Sequence, residues 1–356
     1  NRVLSIDDIS NLFNVEPTVP EVAIDSTFST DSMALKYTFY LTASEGFLGD
    51  FVYPEVFELL VVRNANDVDL TSYASYFDAE NLGANAVLGR FTAEINPSND
   101  NELVLSFRPT NPFVSIDIKS IKETTPSTVG VATTAFGYVK NVELTQQYNT
   151  SGVSTFYSIP LSDCKSGTLI VGISSTKNSI NKSLELSFTN TSNDLFISKY
   201  AENDLVNYGN INIIANGSNL EFNFNNTTGI GVTLYANLKL LTNTYAGYDS
   251  INKTFSKISS SKITTNSLST GISTVSGIYG FTKYIMEISQ DTGITTYRSI
   301  VQLNSVHSGD YLNNIVYDIN GDIELTDIVF ETNYSLAQNE YTLSFNPVTS
   351  ANYTIK

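Results

Sequence analysis

A five-residue alternation of apolar and polar positions occurs three times along the chain. Its copies are LVLSF (103–107), LEFNF (220–224) and YTLSF (341–345), with apolar side chains at the first, third and fifth positions. Side chains on a β-strand alternate between the two faces, so each copy presents a large apolar trio to one side. We therefore predict that each copy is a strand with one buried face, and we call it the motif strand.

A second alternating stretch follows each motif strand after a short turn, and we interpret the two together as a hairpin. The apolar residues of these second stretches are Val114, Ile116 and Ile118, then Ile230, Val232 and Leu234, then Ala351, Tyr353 and Ile355. Successive copies lie about 120 residues apart, which is the length of a whole domain rather than of a solenoid turn. The pattern therefore predicts three similar β-domains in tandem.

We predict an all-β fold of three tandem immunoglobulin-like β-sandwich domains with an extended N-terminal arm. The predicted segments are an arm (1–34), domain 1 (35–122), a linker (123–135), domain 2 (136–241), a Ser/Thr/Asn-rich linker (242–274) and domain 3 (275–356). The arm either docks onto a partner or straps the surface of domain 1. The apolar run 59–62 predicts a strand covered on both sides. The last strand, which ends at Lys356, is expected to be an open edge that needs a subunit contact or more chain.

Composition supports strands and excludes some partners. The 356 residues include 21 Tyr and 20 Phe but no Trp, and aromatic residues suit half-buried strands. The formal net charge of −17 opposes binding to phosphate backbones and anionic membranes, so we expect no nucleic-acid partner. No apolar run approaches 18 residues, so we expect no membrane span. Cys164 is the only cysteine, which leaves no disulfide within the chain.

The residue types that carry catalysis are scarce. His307 is the only histidine and precedes Ser308-Gly309, so we predict a surface turn histidine, with a catalytic one as the alternative. We predict that Cys164 is an inert thiol, although Lys165 beside it could activate it. The sequence contains no phosphate loop, nucleophile elbow or dinucleotide fingerprint. We therefore expect a non-enzyme without a cofactor; a glycosidase stays an alternative because two distant carboxylates leave no local signature.

One acidic stretch has the spacing of a cation site. Asp318, Asn320, Asp322 and Glu324 lie at alternate positions, and oxygen ligands at this spacing can hold calcium. As a hairpin with Asn320-Gly321 at its turn, the same residues would face solvent and need no metal. We predict the hairpin and keep calcium as the alternative.

Several segments resemble tandem β-repeats in virion structural proteins of marine tailed phages, in particular tail and baseplate-region proteins of cyanophage myoviruses. They are LVLSFRPTNPFVSIDIK (103–119), YTLSFNPVTSANYTIK (341–356), STVGVATTAFG (127–137), TGISTVSGIYG (270–280) and RVLSIDDISNLF (2–13). The resemblance covers most of the chain as a pattern of strands and turns. The second copy departs from it, because Asn226 stands where the other copies have Pro109 and Pro347.

This resemblance implies a non-enzymatic part of a virus particle and supplies no catalytic residues. We accordingly expect a tail, baseplate or fibre component, located in the virion, that contacts other virion structural proteins and forms a homo-oligomer. One alternative is a head-decorating or neck protein. Another is an adhesin that binds a host surface glycan through Tyr and Asn/Asp side chains on loops.

Overall fold

The structure is a computed structural model. It describes residues 21–27, 34–44, 52–63, 68–77, 88–96, 98–99, 102–110, 115–125, 130–175, 181–191, 194–204, 208–247, 250–252, 257–276, 281–308, 311–323, 327–349 and 351–356. These residues form antiparallel β-sheets and include no α-helix.

The strands form three sheet pairs. The first pair contains β1 (Val22–Thr27), β2 (Ala34–Ser44), β3 (Val52–Arg63), β4 (Val68–Phe77), β5 (Gly89–Asn96), β6 (Glu102–Pro109) and β7 (Ser115–Thr124). The second contains β8 (Gly130–Phe136), β9 (Val139–Tyr148), β10 (Gly152–Pro160), β11 (Cys164–Ser175), β12 (Asn181–Asn190), β13 (Leu195–Asp204), β14 (Gly209–Asn216), β15 (Asn219–Asn226) and β16 (Val232–Thr242). A small hairpin of β17 (Ser250–Asn252) and β18 (Lys257–Ser259) follows. The third pair contains β19 (Ile263–Thr265), β20 (Thr270–Ser276), β21 (Phe281–Asp291), β22 (Thr296–Ser308), β23 (Tyr311–Gly321), β24 (Ile328–Ser335), β25 (Glu340–Pro347) and β26 (Asn352–Ile355).

Each pair combines a three-stranded sheet with a larger one, and the three strand orders correspond. The small sheets run β1-β6-β5, β10-β15-β14 and β20-β25-β24. The large sheets run β4-β3-β2-β7, β13-β12-β11-β16-β9-β8 and β23-β22-β21-β26-β19. One apolar core cluster lies within each pair. The predicted all-β, sandwich-like fold is confirmed. In an immunoglobulin domain, however, the first strand pairs with the second, whereas β1 pairs with β6, so the strand order does not support an immunoglobulin-like topology.

The three motif strands β6, β15 and β25 are the central strands of the small sheets, and the apolar trio of each is buried, as predicted. The three copies also share a β-bulge at the same position. Strands β1, β10 and β20 all shift register opposite the third and fourth motif residues. The predicted hairpin is wrong, because β6 lies in the small sheet and β7 in the large one. Both strands contribute apolar residues to the same core, from opposite sheets.

Strands also occupy the segments predicted as an arm and as linkers. β1 lies within the predicted arm and forms an edge of the first small sheet, while β8 and β20 begin in the predicted linkers. The two predicted linkers are rich in Ser and Thr, but pairing with neighbouring strands makes parts of them, and of the arm, members of the sheets. The first half of the predicted arm, with its apolar stripe, lies outside the described residues.

The edge expected at the C-terminus is covered from within the chain. β19 pairs with β26 through Ile263–Ile355 and its neighbours, and β21 pairs with the other side of β26. The expectation of an open edge ending at Lys356 is therefore wrong.

Candidate functional site

The outer faces of the three large sheets bury a group of charged side chains where they meet. Strands β3, β12 and β22 contact one another at this place. We call the group the ionic junction and define it as Lys36, Glu58, Tyr73, Glu185 and Lys283. The side chains of Lys36, Glu58 and Glu185 are at most 2% exposed, and that of Lys283 is 9% exposed. Burying charge is costly unless each group is paired, so the partners decide what this site does.

The junction residues occupy equivalent positions in the three copies. The last apolar residues of the second stretches, Ile118, Leu234 and Ile355, pair with Leu41, Ile173 and Ile288. Three residues before Leu41, Ile173 and Ile288 lie Thr38, Ile170 and Ile285. They pair with Glu58, Glu185 and Gln302 on the neighbouring strands. Two residues earlier again lie Lys36, Thr168 and Lys283. The first copy thus contributes an acid and a base, the second only an acid and the third only a base, so the charges balance.

The ion pairs form a continuous series through the three sheet pairs. Lys283 Nζ lies 2.7 Å from Glu58 Oε1, and Lys36 Nζ lies 3.0 Å from Glu58 Oε2. Lys36 also forms an ion pair with Glu185, whose other carboxylate oxygen accepts a hydrogen bond from the Tyr73 hydroxyl. Since Glu58 belongs to the first pair, Glu185 to the second and Lys283 to the third, the series ties all three pairs together.

Electrostatics keep the central carboxylate ionised. Burial alone would raise the pKa of Glu58, but Lys283 and Lys36 outweigh it and hold that pKa at about 2. The pKa of Glu123 on β7 is also lowered to about 2, because Lys239 on β16 outweighs the effect of burial. Burial raises the pKa of Tyr73, so its hydroxyl stays protonated and donates a hydrogen bond to Glu185.

Apolar contacts flank the junction on two sides. Leu60 of the first pair packs with Ile170 and Ala201 of the second. Tyr40 and Val56 of the first pair pack with Val306 of the third. These contacts exclude water from the ion pairs, which strengthens the ion pairs. The run 59–62 is therefore buried on both sides, as predicted.

A second polar contact joins the second and third pairs near the C-terminus. Lys356 Nζ lies 2.7 Å from Glu287 Oε1 and donates a 2.5 Å hydrogen bond to Asn243 Oδ1. Cys164 lies near this contact and is fully buried, and its thiol donates to the carbonyl of Ser166 at 3.3 Å. Burial raises the pKa of this thiol, which opposes the reactive thiolate form.

The acidic stretch of the third copy is not a solvent-facing hairpin. Asp318 and Asn320 lie in β23 and are less than a tenth exposed. Asp318 accepts a 3.3 Å hydrogen bond from Gln302, and Asn320 donates a 3.2 Å bond to the carbonyl of Ser187. The backbone N–H of Asp322 donates to the Arg298 carbonyl. The hairpin prediction is wrong because β23 ends at Gly321 and the chain then crosses to the other sheet.

Within the described residues, no three His, Cys, Asp or Glu side chains are grouped so as to hold a metal ion, and Glu324 lies outside those residues. The backbone of His307 lies within β22 and pairs with Leu312. His307 is therefore a strand residue, and its predicted position in a turn is wrong. No helix in the described part of the chain is long and apolar enough to cross a membrane.

Sequence reasoning missed the ionic junction, although the signal for it is present. Lys36 interrupts the apolar-rich stretch 34–41, and Glu58 interrupts the run 56–62. A single charge on the outer face of a strand that is otherwise apolar on both faces indicates a charge buried against a partner. Pairing between copies then follows from their equivalent positions.

Comparison with known protein families found no family model that matches the chain, and comparison with curated proteins found no match either.

Proposed function

We propose that this chain is a non-enzymatic structural component of a tailed-phage particle, in its tail, baseplate or fibres, that works by assembling through its β-sheets. The observation that carries the proposal is the ionic junction. Its buried acids and bases pair with one another across three sheet pairs, an arrangement suited to holding a fixed shape under load. The repeated sheet pairs and the resemblance to phage tail proteins support the same conclusion.

Immunogold electron microscopy tests this proposal on purified phage particles that carry the gene, with an antibody raised against residues 275–356. We expect regular labelling at the tail or baseplate. Labelling over the head or neck would favour the decorating or neck alternative. Unlabelled particles, both intact and gently disrupted, would contradict a virion role.

A glycan-binding adhesin is the second candidate, because the outer face of the sheet β10-β15-β14 is rich in amides. Asn210 and Asn212 on β14 are exposed, and they pair with Asn225 and Asn223 on β15. Exposed amide groups can hydrogen-bond to sugar hydroxyls. A glycan array should then show binding that Asn212→Ala removes and Asn333→Ala, an exposed residue on β24, leaves intact. A blank array would contradict this candidate.

A further inference from the structure

Strand β8 is an edge strand that is exposed on both faces. Six of its seven residues, Gly130 to Ala135, are exposed, and Val131 is 66% exposed. β9 pairs with one side of β8, from Gly130–Thr145 to Phe136–Val139. Among the described residues, no strand pairs with its other side. The backbone N–H and C=O groups on that side are therefore available for another strand.

Other sheet edges of this chain carry the features that normally block strand addition. Bulges, charged side chains and short length are such features. β1, β10 and β20 contain bulges, β19 has three residues, and β7 carries Lys119 and Lys122. β14 lacks a charge, but β13 contacts it. β8 has no charge, no proline and an unbroken register with β9.

The sequence of β8 fits a second copy of itself. An antiparallel pairing centred on Thr133 places Thr133 opposite Thr133, Ala132 opposite Thr134 and Val131 opposite Ala135. Threonine pairs across strands are favourable, and no like charges face each other. Such a pairing has the twofold symmetry of most homodimers.

The charge of the chain favours β8, rather than another surface, as the contact between two copies. Two copies that each carry a net charge of −17 repel each other over most of their surfaces, so they approach best through an uncharged segment. A basic partner would be drawn to the acidic surface elsewhere, because β8 has no acid to bind it.

We propose that β8 pairs antiparallel with β8 of a second copy, so that the two six-stranded sheets become one continuous sheet. This inference deepens the proposed function, since it names the surface through which copies of this chain assemble. One seven-residue strand supplies few hydrogen bonds, so the isolated dimer is weak. On a particle, neighbouring copies are held close together and their effective concentration is far higher.

Sedimentation velocity of the purified full chain tests the inference, from about 5 µM to about 500 µM, a range that spans weak dissociation constants. We expect the dimer fraction to rise with concentration. Hydrogen exchange at residues 130–136 should slow in parallel. Val131→Lys should shift the dimerisation midpoint at least tenfold upward, because it places a charged lysine on the pairing edge, and a lysine on an edge strand opposes strand addition.

Val153→Lys is the matched control. Val153 is 67% exposed, follows a glycine at the start of β10 as Val131 does on β8, and gives the same change in net charge. It should leave dimerisation unchanged. If Val131→Lys alters the circular dichroism spectrum, Thr133→Lys tests the same edge. A monomer at every concentration, or equal effects of the two valine variants, would overturn the inference. Because no particle is involved, that outcome would leave the immunogold test of the virion role untouched.

Discussion

Replacing Glu58 by glutamine tests whether the ionic junction holds the three sheet pairs together. The change keeps the shape of the side chain but removes the negative charge between Lys36 and Lys283. The pKa of Glu58 falls from 4.5 to about 2, and at about 1.4 kcal/mol per pKa unit this corresponds to about 3 kcal/mol. Removing one partner of a buried ion pair typically costs about 3–5 kcal/mol, which agrees.

Urea denaturation at pH 7, together with calorimetry, measures this loss. We expect the free energy of unfolding of Glu58→Gln to fall by about 3 kcal/mol, and the calorimetric transition to broaden or split as the sheet pairs uncouple. Glu94→Gln makes the same chemical change at an exposed position of β5 and should alter stability by less than about 0.5 kcal/mol.

A double-mutant cycle separates charge pairing from other effects of the substitution. Lys283→Met alone leaves Glu58 with a single basic partner and should destabilise, whereas Glu58→Gln with Lys283→Met should cost clearly less than the sum of the two single changes. Strict additivity, or a Glu58→Gln variant as stable as the parent, would refute the reasoning.

Four further outcomes follow from the buried groups. The folded-state pKa of Glu58 is depressed, so its stabilisation is complete above about pH 4.5 and is lost as pH falls toward 2; acid titration of wild type should show this loss, and Glu58→Gln should lack it. Burial raises the pKa of Glu55 to about 7, although the Leu88 N–H donates to it, so stability should fall between pH 4.5 and 7. Glu55→Gln should therefore be more stable than wild type at pH 8, by on the order of 3 kcal/mol, but not at pH 4.5; equal curves would contradict this. Phe224→Ala should cost about 3–5 kcal/mol in urea denaturation, because the ring is fully buried; a loss below about 1 kcal/mol would place Phe224 outside the core. Cys164 should react with a thiol reagent only after denaturation, and rapid labelling of the native chain would contradict its burial.

The sequence predicted the central strands of the fold because their faces differ strongly in polarity. The apolar trios of the motif strands all lie in the cores. β1, β10 and β20 were harder to predict, since β10 and β20 are rich in Ser, Thr and Gly and the position of all three depends on pairing with distant strands. The Asn320-Gly321 pair was also misleading, because this dipeptide is typical of a hairpin turn but here lies at the end of β23. Gly321 is required because a Cβ there would lie 2.1 Å from the Arg298 carbonyl oxygen, which reflects close packing at a strand end.

The packing of the sheet pairs on one another was not predicted from the sequence. A linker-like composition between two copies indicates separation, and residues 123–135 and 242–274 have that composition. Lys36, Glu58 and Lys283 indicate instead that the copies pack on one another. This is visible only when equivalent positions in the copies are compared. Pairing between distant copies has no local pattern, so periodicity alone does not reveal it.

The uneven charges at equivalent positions of the three copies make the copies non-interchangeable along the chain. If the first and third copies were exchanged, Lys36 and Glu58 would move together and stay paired, but Gln302 would take the position of Glu58 in the first copy. The ion pair that joins Lys283 to Glu58 across the two copies would be lost. The shuffled chain would have the same composition and the same sheets, but it would lack the ion pair between its first and third sheet pairs. The order of the copies in the gene is thus as much a part of the structure as the strands themselves.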